Sequence, residues 1–381
     1  MTQLKKYKKI ALYGVSSSGK SYLINKLIEY DDNFYHCAGS EFLFDISKKR
    51  DFSFSKLDNE QKNIYRKKFI EYADNIYKNN SKHIIVDAHY AFYKNDNFEI
   101  ARIKEDLYFY DIFLYLDTDT NIIYNRALAR NEEYKKADCS IENIDKLKKY
   151  EKEHLEEELN ALGKELIIIN DDNTDNIINC IHEYIDNSIF DVKNNVTSFL
   201  NDNTQLLNKY DNIILSDCDR TLSIYDTSVS LFKELGIDFG ITKKIFKNNN
   251  YSSFALYNFS SLISNIEYDK LLKACQKVSK NTELFIPLIN EIESRKEDYF
   301  LIAVTSGIRE IWDDILKNKD VLIVGWLHRN SCKYLVSKFF KSYLCRKLID
   351  MGKNVTALGD SLIDYNMLIN ANRAFLNLMI R

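Results

Sequence analysis

The chain is poor in the residues that most often interrupt secondary structure. It has one proline and ten glycines in 381 residues. That count excludes a collagen-like or proline-rich extended chain. The few glycines stand out, and several fall inside motifs. The seven cysteines (Cys37, Cys139, Cys180, Cys218, Cys275, Cys332 and Cys345) are scattered, odd in number and form no C-x-x-C pair. This argues against a zinc site and against a disulfide framework, and points to a reducing, cytoplasmic setting. No run approaches the ~18 apolar residues needed to span a bilayer, so no membrane association is expected. The N-terminal MTQLKKYKKIALYGV has too short an apolar stretch for a signal peptide and reads as a first strand. A basic excess is also missing: 53 Lys and Arg against 56 Asp and Glu give a net charge of −3. That near-balance argues against a dedicated duplex-DNA binder, and nucleic acid is not an expected partner.

What is present is core-forming material. Hydrophobic residues make up 45% of the chain, with 26 Tyr and 22 Phe, far too many for a solvated tail. At roughly 100–200 residues per domain the length suggests two domains. The abundance of Asn, Ile, Lys and Tyr reads as codon bias.

Short apolar runs alternate with amphipathic helical stretches, the pattern of parallel α/β sheets. Strands are expected at 8–13, 34–38, 83–86, 111–116 and 166–169, and helices at 21–30, 57–79, 120–130, 140–163 and 175–188. Residues 189–210, rich in Asn and Asp, read as a linker with room for a helix inside it. The pattern restarts with strands at 212–216, 299–304, 321–325 and 354–358, and a helix at 333–351. Between the first two of these strands, residues 226–285 show helical stretches and no convincing strand. The charged run at 148–158 reads as a solvated helix face. The expected organisation is therefore two α/β domains, 1–188 and 211–381, joined by the linker.

Residues Gly14-Val15-Ser16-Ser17-Ser18-Gly19-Lys20-Ser21 match G-x-x-x-x-G-K-[ST] at every fixed position, between a strand and a helix. The glycines let backbone N–H groups curl around phosphate oxygens, and the helix N-terminus faces the same anion. Lys20 reaches the β/γ-phosphates, and the Ser21 hydroxyl is placed to ligate Mg²⁺. The loop resembles the Walker A of P-loop phosphotransferases, and residues 1–188 look like the nucleoside and nucleotide kinase group. That resemblance implies ATP as ligand and Asp87, at the end of HIIV, as a Mg²⁺- or substrate-contacting residue. It implies Arg126 and Arg130 at the transferring phosphoryl group, where arginines suit the spread charge. It also implies Glu41 as the acceptor of the substrate proton, with Asp45 next. His89 reads as structural or substrate-lining.

Three further motifs end strands in the second half: Asp217-Cys218-Asp219-Arg220-Thr221, then Thr305-Ser306-Gly307, then Gly359-Asp360-Ser361-Leu362-Ile363-Asp364. Two carboxylates at i and i+2 on a strand end point the same way and suit Mg²⁺ with an attacking oxygen. In this order the motifs resemble the haloacid dehalogenase-like phosphohydrolases. The resemblance implies that Asp217 is the nucleophile and that Asp219 is the general acid and base. It implies Mg²⁺ on Asp217, the Asp219 carbonyl and Asp360, with Asp364 supporting that shell, and Ser306 on a phosphoryl oxygen. A lysine is also required before the last motif. Lys333, Lys338, Lys341 and Lys347 compete; the apolar register favours Lys341, with Lys338 second. Arg220 departs from the family pattern, which has glycine there. Eighty-seven residues separate Asp219 from Ser306, and the excess, about 226–285, implies a helical cap over the site of the phosphoserine phosphatase kind.

The expected function is a bifunctional phosphoryl-transfer enzyme: a Mg-ATP-binding kinase domain for a small molecule, and a Mg²⁺-dependent phosphatase acting on a small phosphorylated metabolite. Two alternatives stay open: a polynucleotide kinase-phosphatase for end healing, and a phosphatase regulated by a nucleotide-sensing P-loop domain.

Overall fold

The computed structural model describes residues 7–49, 54–94, 96–129, 140–170, 173–247, 250–326 and 334–377. The chain divides into two units, Met1–Ile185 and Asp186–Arg381.

In the first unit, β1 (Lys9–Tyr13), β2 (Phe34–His36), β3 (His83–Asp87), β6 (Ile112–Leu116) and β7 (Leu166–Ile169) form a sheet in the order β2-β3-β1-β6-β7. All neighbours run parallel. Continuous apolar strands such as IFLYL, buried at every residue, are what a sheet covered on both faces requires. A small antiparallel hairpin, β4 (Ala91–Lys94) with β5 (Asn97–Ile100), follows β3. It was missed from the sequence because its residues are only partly buried and lack alternation. A helix at Gly39–Lys49 was likewise not anticipated.

The charged run 148–158 is not a solvated face. On the helix Ile141–Ala161 the buried positions are Ile144, Lys148, Glu151, Leu155 and Leu159, a helical stripe with charges inside it. Lys148 and Lys152 each reach Asp117 at 2.8 Å. Glu151 accepts hydrogen bonds from Tyr90 N (3.2 Å), Ala91 N (3.1 Å) and Tyr115 Oη (2.9 Å). Partners at fixed tertiary positions make these burials tolerable, and sequence periodicity cannot see them.

The second unit has the parallel order β10-β9-β8-β11-β12, from β8 (Asn212–Ser216), β9 (Tyr299–Ile308), β10 (Val321–Trp326), β11 (Asn354–Gly359) and β12 (Arg373–Leu376). The edge strand β12 is exposed throughout and carried no sequence signal. Residues 189–210 are not a linker. They carry helices Val192–Asp202 and Thr204–Leu207, whose Val192, Val196, Phe199, Leu200 and Leu207 join the core under β8 and β9. Positions 192, 196, 199 and 200 are a helical stripe, and the Asp that suggested a linker at its start is a cap: Asp191 accepts from Asn194 N.

Between β8 and β9 the chain runs through helices Thr227–Leu235, Gly240–Ile245, Ser253–Ser264, Tyr268–Asn281 and Ile286–Ser294. Leu231, Phe232, Phe259, Ile263, Leu271 and Val278 give this insertion its own apolar centre, closed below by Ile308 and Ile311. Among the described residues, no helix is long and apolar enough to cross a membrane.

Candidate active sites

In the second unit the three motifs are far apart in sequence but adjacent in space, because β8 lies between β9 and β11. Asp217 leaves the end of β8, Ser306 lies in the last turn of β9, and Asp360 follows β11. The carboxyl ends of neighbouring parallel strands are where α/β sheets place their sites. Lys341 completes the group. Its helix, Lys338–Asp350, starts at Ser337, which caps Phe340 N. Lys341 Nζ lies 2.5 Å from Asp217 Oδ1 and 2.7 Å from Asp364 Oδ1, with the lysine 1% exposed. Lys338, at the helix start, is half-buried and is not the residue at the carboxylates.

Asp364 also accepts from Asp360 N (3.2 Å), Ser361 N (3.2 Å) and Ser361 Oγ (2.9 Å). It ties the loop after β11 to Lys341. Gly359 is required here: a Cβ would come within 2.5 Å of Asp364 Cβ. Burial works against the Lys341 charge, but Asp217 and Asp364 outweigh it and keep the ammonium protonated. Burial, then Asp364, push the Asp217 carboxyl well above its ordinary range. One ammonium cannot neutralise two buried carboxylates.

Asp219 is held differently. Its Oδ1 accepts from Thr227 N (2.7 Å) and Thr227 Oγ1 (2.6 Å). Burial, and next to it Asp226, push its pKa up to about 7 against those bonds. Sequence reasoning missed Thr227; the signal was the Asp226-Thr227 pair, whose Asp226 caps the following helix through Ser228 N. Ser306 lines the same cavity, and its hydroxyl donates to Val336 O at 2.7 Å. Arg220 has φ +59°, the left-handed region, which explains why glycine is the residue expected there. Its side chain pairs with Asp360 at 3.0 Å.

One oxygen each from Asp217, Asp360 and Asp364 lies within 4.8 Å of the others. Hard oxygen donors in carboxylate excess suit a magnesium ion, so the residues fit the metal that the resemblance implies. Asp217 and Asp360, with Asp219 and Lys341, form the floor of a cavity of about 590 Å³ roofed by the helical insertion, with Phe239, Phe246, Tyr251 and Phe259 on its wall.

In the first unit the glycine-rich loop follows β1. Gly14 has φ +146°, and a Cβ there would sit 3.0 Å from Leu116 O; Gly19 has φ +104° and lies against Arg126 Nη1. Lys20 opens the helix Lys20–Tyr30, and its Nζ donates to Gly14 O (2.5 Å) and Val15 O (3.1 Å) across the loop. Arg126 Nη1 donates to Ser18 O at 2.8 Å. β3 neighbours β1, with Leu12 opposite Asp87. This puts Asp87 Oδ2 3.3 Å from Ser21 Oγ, and Asp87 Oδ1 3.2 Å from His36 Nε2. A hydroxyl and a carboxylate side by side at the loop fit a hard cation. Val15 is buried under the loop, while Ser16 to Ser21, Asp87, His89 and Arg126 line a cavity of about 730 Å³. Glu41 is exposed on the helix Gly39–Lys49, as is Asp45, and neither lines this cavity; the carboxylate at the loop is Asp87. Arg130 lies outside the described residues, as does Lys333.

Residues 13–145 match the family model "AAA domain". No curated protein matches. Solved structures similar to the chain include a phospho-aspartyl intermediate analogue of phosphoserine phosphatase, 20% identical, covering 44% of this chain and 86% of that one with TM-score 0.35. A sugar kinase from Janibacter sp. is 15% identical, covering 48% of this chain and 95% of that one with TM-score 0.32. A chain of the Pnkp1/Rnl/Hen1 RNA repair complex is 15% identical, covering 97% of this chain and 96% of that one with TM-score 0.28. Residues 13–145 thus match the AAA domain model around the glycine-rich loop, and in the second unit Asp217, Lys341 and Asp360 stand together as the resemblance to haloacid dehalogenase-like phosphohydrolases implies.

Proposed function

We propose that the chain is a bifunctional phosphoryl-transfer enzyme. The second unit hydrolyses a small phosphomonoester through an aspartyl-phosphate on Asp217. The first binds Mg-ATP and transfers its γ-phosphoryl group to a small acceptor. The observation that carries the reading is Asp217 at 2.5 Å from a buried Lys341 on the floor of a roofed cavity.

An Asp217 oxygen attacks phosphorus, and the bond from phosphorus to the ester oxygen breaks. Asp219, whose pKa burial pushes up to about 7, holds a proton more readily than an ordinary carboxyl and donates it to the leaving alcohol. A water then attacks phosphorus, Asp219 takes its proton, and inorganic phosphate leaves with Asp217 restored. Lys341 stabilises charge on the nucleophile and the phosphoryl oxygens. Ser306 faces the same oxygens. Magnesium, held by Asp217, Asp360 and the Asp219 carbonyl, would neutralise phosphate charge. Asp364 positions Lys341 and the loop. The roof limits access of bulk solvent to the reacting centre while leaving room for the attacking water.

In the first unit the loop N–H groups and Lys20 would cradle the phosphates, Ser21 and Asp87 would hold magnesium, and Arg126 would meet the transferring group. The test is Asp217→Asn in the full chain. We expect p-nitrophenyl phosphate hydrolysis in Mg²⁺ to vanish and ATP binding to persist. Near-normal phosphate release by that variant would refute the phosphatase assignment.

A further inference from the structure

We propose that the roofed cavity of the second unit takes a nucleotide, bound by its base on the aromatic wall and by a second anionic group on the roof lysines. The inference rests on the phosphatase reading above. It comes from how the cavity divides its chemistry. The floor holds Asp217, Asp219 and Asp360, with Lys341 and Arg220 already paired to carboxylates. The roof contributes Lys243 and Lys247, both exposed, and four aromatic rings. Phe246 lies 5.3 Å from Tyr251 at 31° between planes, and 5.7 Å from Phe259 at 46°.

Each feature selects. A phosphate on the floor leaves the rest of the substrate against the rings, and a flat heteroaromatic body gains most there. The volume, about 590 Å³, lies within the roughly 300–1,000 Å³ of small-molecule sites. Lysines on the roof favour a second phosphate away from the reacting one. They oppose an ammonium group, so a phosphorylated amino acid is a poor fit. Asp226 on the cavity wall caps its helix through Ser228 N and Val229 N, and Asp238, just before the roof helix, accepts from Gly240 N. The same chemistry occurs in free nucleoside bisphosphates and at a 3′-phosphorylated oligonucleotide end. The helical roof over the carboxylates favours the free molecule.

The test is phosphate release by the full chain in Mg²⁺ at low salt, with ribose 5-phosphate, a nucleoside 5′-monophosphate, a nucleoside 3′,5′-bisphosphate and a 3′-phosphorylated oligonucleotide. We expect kcat/KM to rise about 10-fold from sugar phosphate to mononucleotide, the size of one base–aromatic stack. A further rise of about 10-fold is expected for the bisphosphate, one charge-assisted contact. The Lys243→Ala/Lys247→Ala double variant should lose the second step through KM and keep the first. Phe246→Ala should lose the first. Equal kcat/KM for ribose 5-phosphate and the bisphosphate would overturn the proposal, as would a double variant that lowers all substrates equally. An oligonucleotide hydrolysed faster than the free bisphosphate would overturn the choice of the free molecule. p-Nitrophenyl phosphate separates the two claims. Hydrolysis of it without nucleotide preference sinks this inference alone, whereas its complete resistance sinks the phosphatase reading.

Discussion

Lys341 Nζ lies between Asp217 and Asp364, 2.5 Å from one and 2.7 Å from the other, although 124 residues separate it from Asp217 in the chain. In the proposed mechanism the lysine therefore both stabilises the site and serves its chemistry. Lys341→Met removes the one ammonium between two buried carboxylates. We expect phosphatase kcat to fall by about 10²-fold or more, the scale of a lost electrostatic stabiliser. Unfolding of the second unit should shift down by about 3 kcal/mol, since breaking a buried pair strands its partner. Steady-state kinetics and denaturant unfolding of the same preparation decide it; unchanged kcat would remove Lys341 from the mechanism.

Lys20→Ala should weaken ATP binding by about 10-fold or more, because a charge-assisted contact to the β/γ-phosphates is worth roughly 1.5–3 kcal/mol. Phosphatase activity should be unchanged, since Lys20 belongs to the other unit. Titration with ATP in Mg²⁺ measures the first and p-nitrophenyl phosphate the second. Unaltered ATP affinity would reduce the glycine loop to a turn.

The residues that gather at both candidate sites were legible because strand-end motifs are local: GVSSSGKS, DCDRT and GDSLID each read from a few adjacent residues. The choice of Lys341 over Lys338 followed from helical register, which places Lys341 with the buried Leu344 and Leu348. What depended on tertiary pairing was not legible. Asp87, read from the end of its strand, stands at the P-loop because β3 lies beside β1, but Glu41 does not join it because the helix Gly39–Lys49 leaves Glu41 exposed. Glu151 and Lys148 looked solvated because their partners lie tens of residues away. The segment after 189 looked loose because polar caps masked a sparse apolar stripe.

Asp117 offers a pH test of that hidden pairing. Burial pushes its carboxyl up, but Lys152 and Lys148 outweigh burial and hold it below its ordinary range. A carboxyl depressed on folding contributes stability above its unfolded pKa of about 3.9 and loses it as pH falls through the folded value. Asp117→Asn should therefore destabilise the first unit by about 2–3 kcal/mol at pH 7, the lower end of a broken buried pair because Lys152 is partly exposed. The gap from the parent protein should narrow below about pH 4. Unfolding curves at pH 7, 5 and 3 test it; a gap that widens on acidification would show the pairing to be wrong.

Arg220 combines backbone strain at φ +59° with a side chain on Asp360. Arg220→Gly relaxes the backbone and frees Asp360 for the metal. We expect Mg²⁺ to bind about 2–5-fold more tightly, the worth of a half-exposed ion pair. Calorimetric titration of Mg²⁺ into parent and variant reads this directly, without turnover. Weaker binding would mean that Arg220 supports the metal site through the loop rather than competing with the cation.

Asp219 is asked to act twice, and the two steps can be separated by the leaving group. In the proposed mechanism its carboxyl, pushed up to about 7 by burial and held by Thr227, gives a proton in the first step and takes one in the second. Asparagine at this position keeps an oxygen for Thr227 but has neither function. With an alkyl phosphate, whose alkoxide must be protonated as it leaves, Asp219→Asn should block the first step, and no phosphoenzyme should form. With p-nitrophenyl phosphate the leaving phenolate needs little protonation, so the first step should survive. The second step still needs a base for water, and steady-state turnover should fall by about 10²–10⁴-fold, the usual contribution of a positioned acid or base. The variant should then release one equivalent of nitrophenolate in a burst and carry phosphate on Asp217. Rapid-quench kinetics and mass analysis of the peptide containing Asp217 test both halves. Loss of turnover on p-nitrophenyl phosphate with neither burst nor phosphopeptide would assign Asp219 to holding the metal or the loop, and would leave the proton transfers to another group.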